Sequence, residues 1–217
     1  TLGTGIFRMS RLLSNIDFLI LAGGLGTRLG LPIPKVLAPI GAEGEVLLSI
    51  QLSRLKKFGV ERVILALGYQ AGAVVRFITE TRAKSMERAF RDEVLFSLEP
   101  QPLGTAGAIR HALTFISDKV FVMNGDTLVD VDIRDFVVDA AGTDASVLYT
   151  QEDVSTGMCV FTQRALDWIW TCPGPSLEND VLPKINWRKV THYCSFLDIG
   201  TPEQLSLAPT FLKEMKT

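Results

Sequence analysis

Glycines and two basic residues follow the first strongly apolar stretch of the sequence. Residues 21–40 read LAGGLGTRLGLPIPKVLAPI, so three glycines come directly after the run FLILA. Glycine lets the backbone approach a ligand and point its N–H groups at an anion, and Arg28 and Lys35 add positive charge. This segment, called the glycine loop below, predicts a phosphate site. The alternative from the residues alone is a glycine-rich turn with solvated charges.

The spacing within the glycine loop disfavours two common nucleotide-binding classes. After Gly24 and Gly26, the third glycine position of the dinucleotide pattern G-x-G-x-x-G is occupied by Leu29. No Gly-Lys-Ser/Thr follows, as a P-loop would require. The dinucleotide-dependent oxidoreductases and the P-loop nucleotide-binding proteins are therefore both disfavoured.

A second group of small residues follows the apolar run VLFSL. The stretch LEPQPLGTAGAI, residues 98–109, places Gly104 and Thr105 at the start of a predicted helix, with Thr105 as its candidate N-cap. A helix start offers unpaired N–H groups, and the small residues leave room for a flat ring or a phosphate. A simple turn with an N-cap would look the same in sequence.

Two aspartates also stand at the ends of apolar runs. Asp126 follows VFVMNG, and Asp198 ends the run SFLD. Mg²⁺ prefers one or two carboxylates together with water and substrate phosphate oxygens. The two aspartates therefore predict a magnesium site if the fold brings them to one sheet edge, although the first could be a plain Asn-Gly-Asp turn.

Short apolar runs alternate with helical patterns along the chain. Leu48, Leu52 and Leu55 form one helical stripe that Gly59 would end, and Ile109, Leu113 and Ile116 form another. Near-continuous apolar runs are typical of strands that are buried on both faces. The predicted strands are 17–22, 62–67, 94–98, 120–123, 145–149, 158–162 and 195–199. The pattern predicts an α/β protein with a layered sheet.

Composition restricts the partners and the compartment. The 217 residues carry 22 basic and 24 acidic side chains, so an electrostatic nucleic-acid binder is disfavoured. No apolar run approaches the ~20 residues that span a bilayer, so no membrane association is expected. Three cysteines without a metal or redox spacing predict reduced thiols in the cytoplasm. We expect one domain over residues 16–217, with residues 1–15 as an N-terminal extension, natural or added.

Taken in order, the motifs carry a family resemblance. LAGGLGTRL with PKVLAPI, then PLGTAGAI, NGD and FLDIGTPEQ, resemble the sugar-phosphate nucleotidyltransferases, which join an NTP to a sugar 1-phosphate and release pyrophosphate. The resemblance runs from Ile16 to about Ala208 and implies a Rossmann-like nucleotidyltransferase fold, with a mostly parallel mixed sheet flanked by helices. The motifs look most like the D-glycero-D-manno-heptose 1-phosphate guanylyltransferases. Mannose, muramate and glucose 1-phosphate enzymes that use GTP, UTP or dTTP stay open.

The resemblance also implies roles for particular residues. Arg28 and Lys35 would be catalytic and lie against the phosphates, and Asp126 and Asp198 would hold Mg²⁺. The implied nucleotide-binding residues are Leu21, Ala22, Gly23, Gly24, Gly26, Thr27, Gly104 and Thr105. His111 and His192 receive no role. Related enzymes are often dimers or tetramers, so a homo-oligomer is a further expectation.

One departure from the family pattern affects the sugar site. Family members usually carry a segment with a Tyr-Gly pair and a Glu-Lys-Pro motif, but here QEDVSTGMCVF passes almost directly to the next strand. The segment is missing between Val154 and Ser155, either naturally or through a gap in the sequence. The remaining sugar-binding candidates are Thr156, Gly157, Glu178 and Asn179. A non-catalytic regulatory subunit that binds nucleotide sugars is the competing class.

Overall fold

The computed structural model describes residues 12–41, 43–84 and 93–215. Its strands are β1 (Asp17–Leu21), β2 (Arg62–Leu67), β3 (Glu93–Leu98), β4 (Lys119–Asn124), β5 (Thr127–Asp130), β6 (Ala145–Tyr149), β7 (Ser155–Thr162), β8 (Trp187–Thr191) and β9 (Ser195–Asp198). Its α-helices are α1 (Leu47–Lys57), α2 (Ala71–Lys84), α3 (Gly104–Ala112), α4 (Ile133–Asp139), α5 (Gln163–Thr171) and α6 (Pro202–Glu214).

Seven of these strands form one mixed sheet in the order β3-β2-β1-β4-β7-β6-β8. The strands β3, β2, β1 and β4 are mutually parallel, β7 runs antiparallel to both β4 and β6, and β8 is parallel to β6. The predicted mostly parallel mixed sheet is confirmed. The predicted strand at residues 195–199 instead forms β9, which pairs with β5 in a separate two-stranded sheet.

Helices cover both faces of the main sheet. The stripe of Leu48, Leu52 and Leu55 on α1 is buried in the core on one face. Ile109 on α3 and Leu166 on α5 are buried in the core on the other face. Strands between two helical layers are buried on both sides, which explains the near-continuous apolar runs in the sequence.

The ends of two helices test the predicted helix signals. Gly59 follows α1 with a φ of 85°, so the predicted stop is confirmed. Thr105 is not the N-cap of α3, because the helix begins at Gly104 and the Thr105 hydroxyl accepts a hydrogen bond from the Leu177 N–H (2.8 Å). The predicted helical stripe of Ile109, Leu113 and Ile116 also extends beyond the end of α3 at Ala112. Leu113 lies in a 3-10 turn, and Ile116 is already extended.

The chain before β1 contributes to the core. Leu13 falls within the predicted extension, yet it is buried in the same cluster as Phe18. Residues 1–11 lie outside the described residues.

The three cysteines are free and buried. None of the helices in the described ranges is long and apolar enough to cross a membrane.

Candidate active site

The sheet order places a crevice beside β1. From β1 the chain adds β2 and β3 on one side and later β4 on the other, and Leu21 lies opposite Asn124 where β1 and β4 end. In open α/β sheets, ligands bind at such a reversal of strand order, outside the carboxyl ends of the strands. Two cavities of about 290 and 350 Å³ lie here, and Leu21, Gly24 and Asp126 line both.

The first cavity collects the predicted phosphate-binding residues. Its lining contains Leu21, Ala22, Gly24, Leu25, Gly26, Thr27, Arg28, Lys35, Val36, Asp126 and Gly200. Gly26 has a φ of 62°, a left-handed conformation that favours glycine. This turn lets the glycine loop curve so that Arg28 and Lys35 line the same cavity. The fold therefore brings both predicted catalytic residues to one place.

Glycine is required where the strand ends crowd each other. The Gly125 N–H donates to the Leu21 carbonyl (2.8 Å). A Cβ at Gly125 would lie 2.8 Å from that same oxygen, and a Cβ at Gly68, which follows β2, would lie 2.7 Å from the Gly23 carbonyl oxygen. Both distances are shorter than real Cβ contacts, so these positions keep the backbones at the ends of β1, β2 and β4 close at the crevice.

The two predicted metal ligands meet at Lys35. Lys35 Nζ lies 2.7 Å from Asp126 Oδ2 and 4.0 Å from Asp198 Oδ1. The pairing of β5 with β9 holds them together, because the Ile199 N–H donates to the Asp126 carbonyl (2.8 Å). Two carboxylates 72 positions apart in sequence thus face the same cation.

The pKa of Asp198 depends on its burial and on the charges of its neighbours. Burial raises the pKa of the Asp198 carboxyl, the neighbouring Asp126 charge raises it further, and Lys35 and Arg28 lower it. Two carboxylates that repel each other and remain partly open to solvent suit a hard divalent cation that completes its shell with water and phosphate oxygens. No group of three or more His, Cys, Asp or Glu residues in the described ranges could hold a metal. The donor set fits a metal that is shared with substrate.

The second cavity adjoins the first and is lined by the start of α3. Gly104 and Thr105 line it together with Gly23, Glu99 and Asn124. Gly104 has a φ of 73°, and a Cβ there would lie 2.5 Å from the Pro175 carbonyl oxygen. The two residues predicted to face the base therefore do line a cavity beside the glycine loop.

Glu99 is a site residue that the sequence reasoning did not single out. Its carboxylate lies against Gly23, and Oε2 accepts a hydrogen bond from the Leu103 N–H (3.2 Å). Burial raises the pKa of Glu99, while that hydrogen bond and His111 lower it. The sequence could have indicated Glu99 by its position. It is the first residue after β3, and Gly23 likewise follows the end of β1.

The four predicted sugar-binding residues line neither cavity. Gly157 has a φ of 74° and packs against the Asn124 amide, and the Thr156 hydroxyl donates to the Leu148 carbonyl (3.0 Å). Glu178 and Asn179 lie in the short π-helix Leu177–Val181, whose first N–H donates to Thr105.

The two histidines make contacts outside both cavities. Nδ1 of His111 is 2.9 Å from the buried Ser97 Oγ, and Nε2 of His192 is 3.0 Å from Asp139 Oδ2. Neither ring lines the cavities at the crevice. These contacts tie one element to another.

Together, the mostly parallel mixed sheet, the glycine loop with its cations and the paired carboxylates define a Rossmann-like nucleotidyltransferase fold. Residues 18–182 match the model of the MobA-like NTP transferase domain. This match covers most of the chain. The protein therefore belongs to the family of MobA-like NTP transferase domains.

Named relatives are sugar-phosphate guanylyltransferases. The chain is 38% identical over 123 residues to D-glycero-alpha-D-manno-heptose 1-phosphate guanylyltransferase of Campylobacter jejuni, covering 53% of this chain and 49% of that protein. It is 37% identical over 228 residues to mannose-1-phosphate guanyltransferase beta-A of Xenopus laevis, covering 85% of this chain and 61% of that protein. The chain thus spans less than two thirds of either relative.

The second alignment also bears on the predicted missing segment. It extends over 228 residues although this chain has only 217, so the Xenopus protein contains residues without a counterpart here. Among solved structures, HddC from Yersinia pseudotuberculosis complexed with GMP-PN superposes with a TM-score of 0.77 at 27% identity. That match covers 91% of this chain and 99% of HddC.

Proposed function

We propose that this protein transfers a nucleotidyl group from an NTP to a sugar 1-phosphate, giving an NDP-sugar and pyrophosphate. The observation that carries the proposal is the convergence of Arg28, Lys35, Asp126 and Asp198 on one crevice at the reversal of strand order. Two cations and two carboxylates beside a glycine loop suit a reaction between two anions. A site that only bound a nucleotide sugar would have less need of the complete set.

The reaction follows from charge and position. An oxygen of the sugar phosphate attacks the α-phosphorus of the NTP in line, a new P–O bond forms, and the bond to the departing pyrophosphate breaks. Arg28 and Lys35 stabilise the negative charge that develops on the phosphate oxygens. The sugar phosphate is already ionised at neutral pH, so no general base is required.

Magnesium is the cation that fits this site, and Asp126 and Asp198 would hold it. It would supply neutralisation of phosphate charge and help to orient the reacting groups. The chain's own contribution is to hold the two carboxylates on the β5–β9 ladder, beside the cavity that Arg28 and Lys35 line.

Glu99 favours guanine as the base. Guanine presents its N1–H and N2–H donors side by side, and one carboxylate can accept both. The N3–H of uracil or thymine lies between two carbonyl oxygens, which a carboxylate would repel. The partly buried Glu99 carboxylate in the second cavity therefore supports GTP over UTP and dTTP, as do the named guanylyltransferase relatives.

For the sugar, we favour a heptose 1-phosphate, in line with the Campylobacter relative. Mannose, muramate and glucose 1-phosphates are the alternatives. The sugar would lie on the side of Asn124, where Thr156 and Gly157 support the cavity wall, with Glu178 and Asn179 near the start of α3. A cytoplasmic location and a homo-oligomer stay predictions.

Pyrophosphate release measured with each NTP and a panel of sugar 1-phosphates, in the presence of Mg²⁺, tests the proposal. We expect turnover with GTP and one sugar phosphate. Tight binding of a GDP-sugar without turnover for any pair would favour the non-catalytic regulatory class. Failure both to bind and to turn over would reject both.

A further inference from the structure

Gln51 on α1 reaches the turn that carries Asp126. Its side chain is almost fully buried, with 1% of its surface exposed. Nε2 donates to two backbone carbonyls, those of Asn124 (3.1 Å) and Thr127 (3.0 Å). These two carbonyls flank Gly125 and Asp126, so one amide group spans the turn from the end of β4 to the start of β5.

The backbone of the same turn has two further contacts. The Gly125 N–H donates to the Leu21 carbonyl (2.8 Å), and the Asp126 carbonyl accepts from the Ile199 N–H (2.8 Å). These bonds tie the turn to the glycine loop on one side and to β9 on the other. Gln51 provides the contact from the helical layer, and it is a side chain that can be replaced without changing the backbone.

In the part of the chain that the structure describes, burial of Gln51 leaves one of its two polar side-chain atoms without a hydrogen-bond partner. Within the described residues its Oε1 atom is buried and has no hydrogen-bond partner. An unmet buried acceptor destabilises the folded state. The amide cannot be turned over to relieve this, because both carbonyls that it faces are acceptors and require the NH₂ group. Leu48, Leu52 and Leu55 on the same helix are buried apolar residues, so an apolar residue would suit the helix better.

We propose that Gln51 is a positioning residue that sets the geometry of Asp126 for metal and phosphate binding. This inference rests on the proposed function, because Asp126 is taken as a ligand of the catalytic cation. By holding the carbonyls on both sides of Asp126, Gln51 fixes the turn and thus the distance from Asp126 to Lys35. Residues that hold metal ligands in place typically change activity or metal affinity by about 10–100-fold when they are replaced.

The test compares Gln51→Met with Leu55→Met in the full chain. Methionine has nearly the volume of glutamine but donates no hydrogen bond, and Leu55 is buried on the same helix. For Gln51→Met we expect kcat to fall about tenfold with the KM for GTP within about twofold. Mn²⁺ binding to the protein alone, measured by electron paramagnetic resonance, should weaken by a similar factor. Leu55→Met should leave all three unchanged.

Amide hydrogen exchange gives a readout that does not depend on activity. The N–H groups of residues 125–127 should exchange faster in Gln51→Met than in the wild type and in Leu55→Met.

If the wild type shows no turnover, the proposed function fails, while exchange and Mn²⁺ binding still test Gln51. A lowered melting temperature with unchanged kcat, Mn²⁺ affinity and exchange would overturn the inference. If Gln51→Met does not fold, Gln51→Asn, whose shorter amide cannot span both carbonyls, should show the same losses, and wild-type values would overturn it.

Discussion

The two walls of the crevice present different chemistry to a substrate. The proposed nucleotide wall consists of residues 21–28 of the glycine loop, Lys35, Glu99 and the start of α3, and it presents two cations, a carboxylate and open backbone directly to the cavities. The proposed sugar wall consists of Asn124, Thr156, Gly157, Glu178 and Asn179. Of these, Asn124 lines the second cavity and the other four line neither cavity.

The connection between β6 and β7 accounts for much of this difference. It closes as a tight turn, in which the Thr150 N–H donates to the Val154 carbonyl (2.9 Å) and Asp153 has a φ of 67°. This turn contains the position where the sequence predicts a missing segment. A short turn brings few polar groups over the sugar wall, so we expect the enzyme to discriminate between bases more strongly than between sugars.

Asp126→Asn should have the largest effect, because Asp126 lines both cavities and serves both walls. An amide keeps the shape but not the charge that holds the cation and pairs with Lys35. We expect kcat to fall about 10³-fold, since cation stabilisation of the transition state is worth several kcal/mol. Steady-state pyrophosphate release at saturating Mg²⁺ measures it. The control is Asp118→Asn, which lies just before β4, whereas Asp126 lies just after it. A wild-type rate for Asp126→Asn would remove Asp126 from the metal site.

Arg28→Ala tests whether the nucleotide wall acts in the chemical step. Its guanidinium lines the first cavity and lowers the pKa of Asp198 by its charge. Loss of one such donor typically costs about 10²–10³-fold in kcat, with a smaller change in the KM for the sugar phosphate. Full kinetics should be compared with Arg164→Ala, whose side chain is 84% exposed on α5. A change confined to KM would contradict a role in the transition state.

Glu99→Gln should narrow the preference for guanine by about 10–100-fold, because a hydrogen bond to a charged group contributes about 1.5–3 kcal/mol. The measurement is the ratio of kcat/KM for GTP to that for UTP. The pH dependence of the KM for GTP gives a second test of the role of Glu99. Since burial raises the pKa of Glu99, the wild-type carboxylate is protonated at a higher pH than an ordinary glutamate. The KM for GTP should therefore rise as the pH falls toward that pKa, and this rise should vanish in Glu99→Gln.

Glu178→Ala and Asn179→Ala should have the smallest effects. Both side chains are exposed on the π-helix next to the start of α3, so water competes for any hydrogen bond that they make to a sugar. We expect the KM for the sugar phosphate to rise by about 2–10-fold, with kcat unchanged. Trp170→Ala, exposed on α5, is a control for surface changes. A larger loss would show that the sugar wall discriminates as strongly as the nucleotide wall.

Residues that follow directly after a strand were the most predictable part of the site. Gly24, Arg28 and Asp126 line the first cavity, and their position was predictable from the apolar runs before them, because the ends of parallel strands meet at one edge of a sheet. Glu99 obeys the same rule and could have been found in the same way. Thr105 lines the second cavity, but the prediction that it is an N-cap is wrong, since its hydroxyl bonds to Leu177.

The sequence by itself determined the layered α/β class, the helix on Leu48, Leu52 and Leu55, and the chemistry of the glycine loop. These features depend on local periodicity and on residue type, which the chain carries everywhere. Only the tertiary structure decided that β9 leaves the main sheet to pair with β5, and thereby that Asp198 reaches Asp126 and Lys35. The two hydrogen bonds of Gln51 were likewise decided there, because they join residues more than 70 positions apart. Such contacts depend on how the elements pack together, and local sequence does not encode that packing.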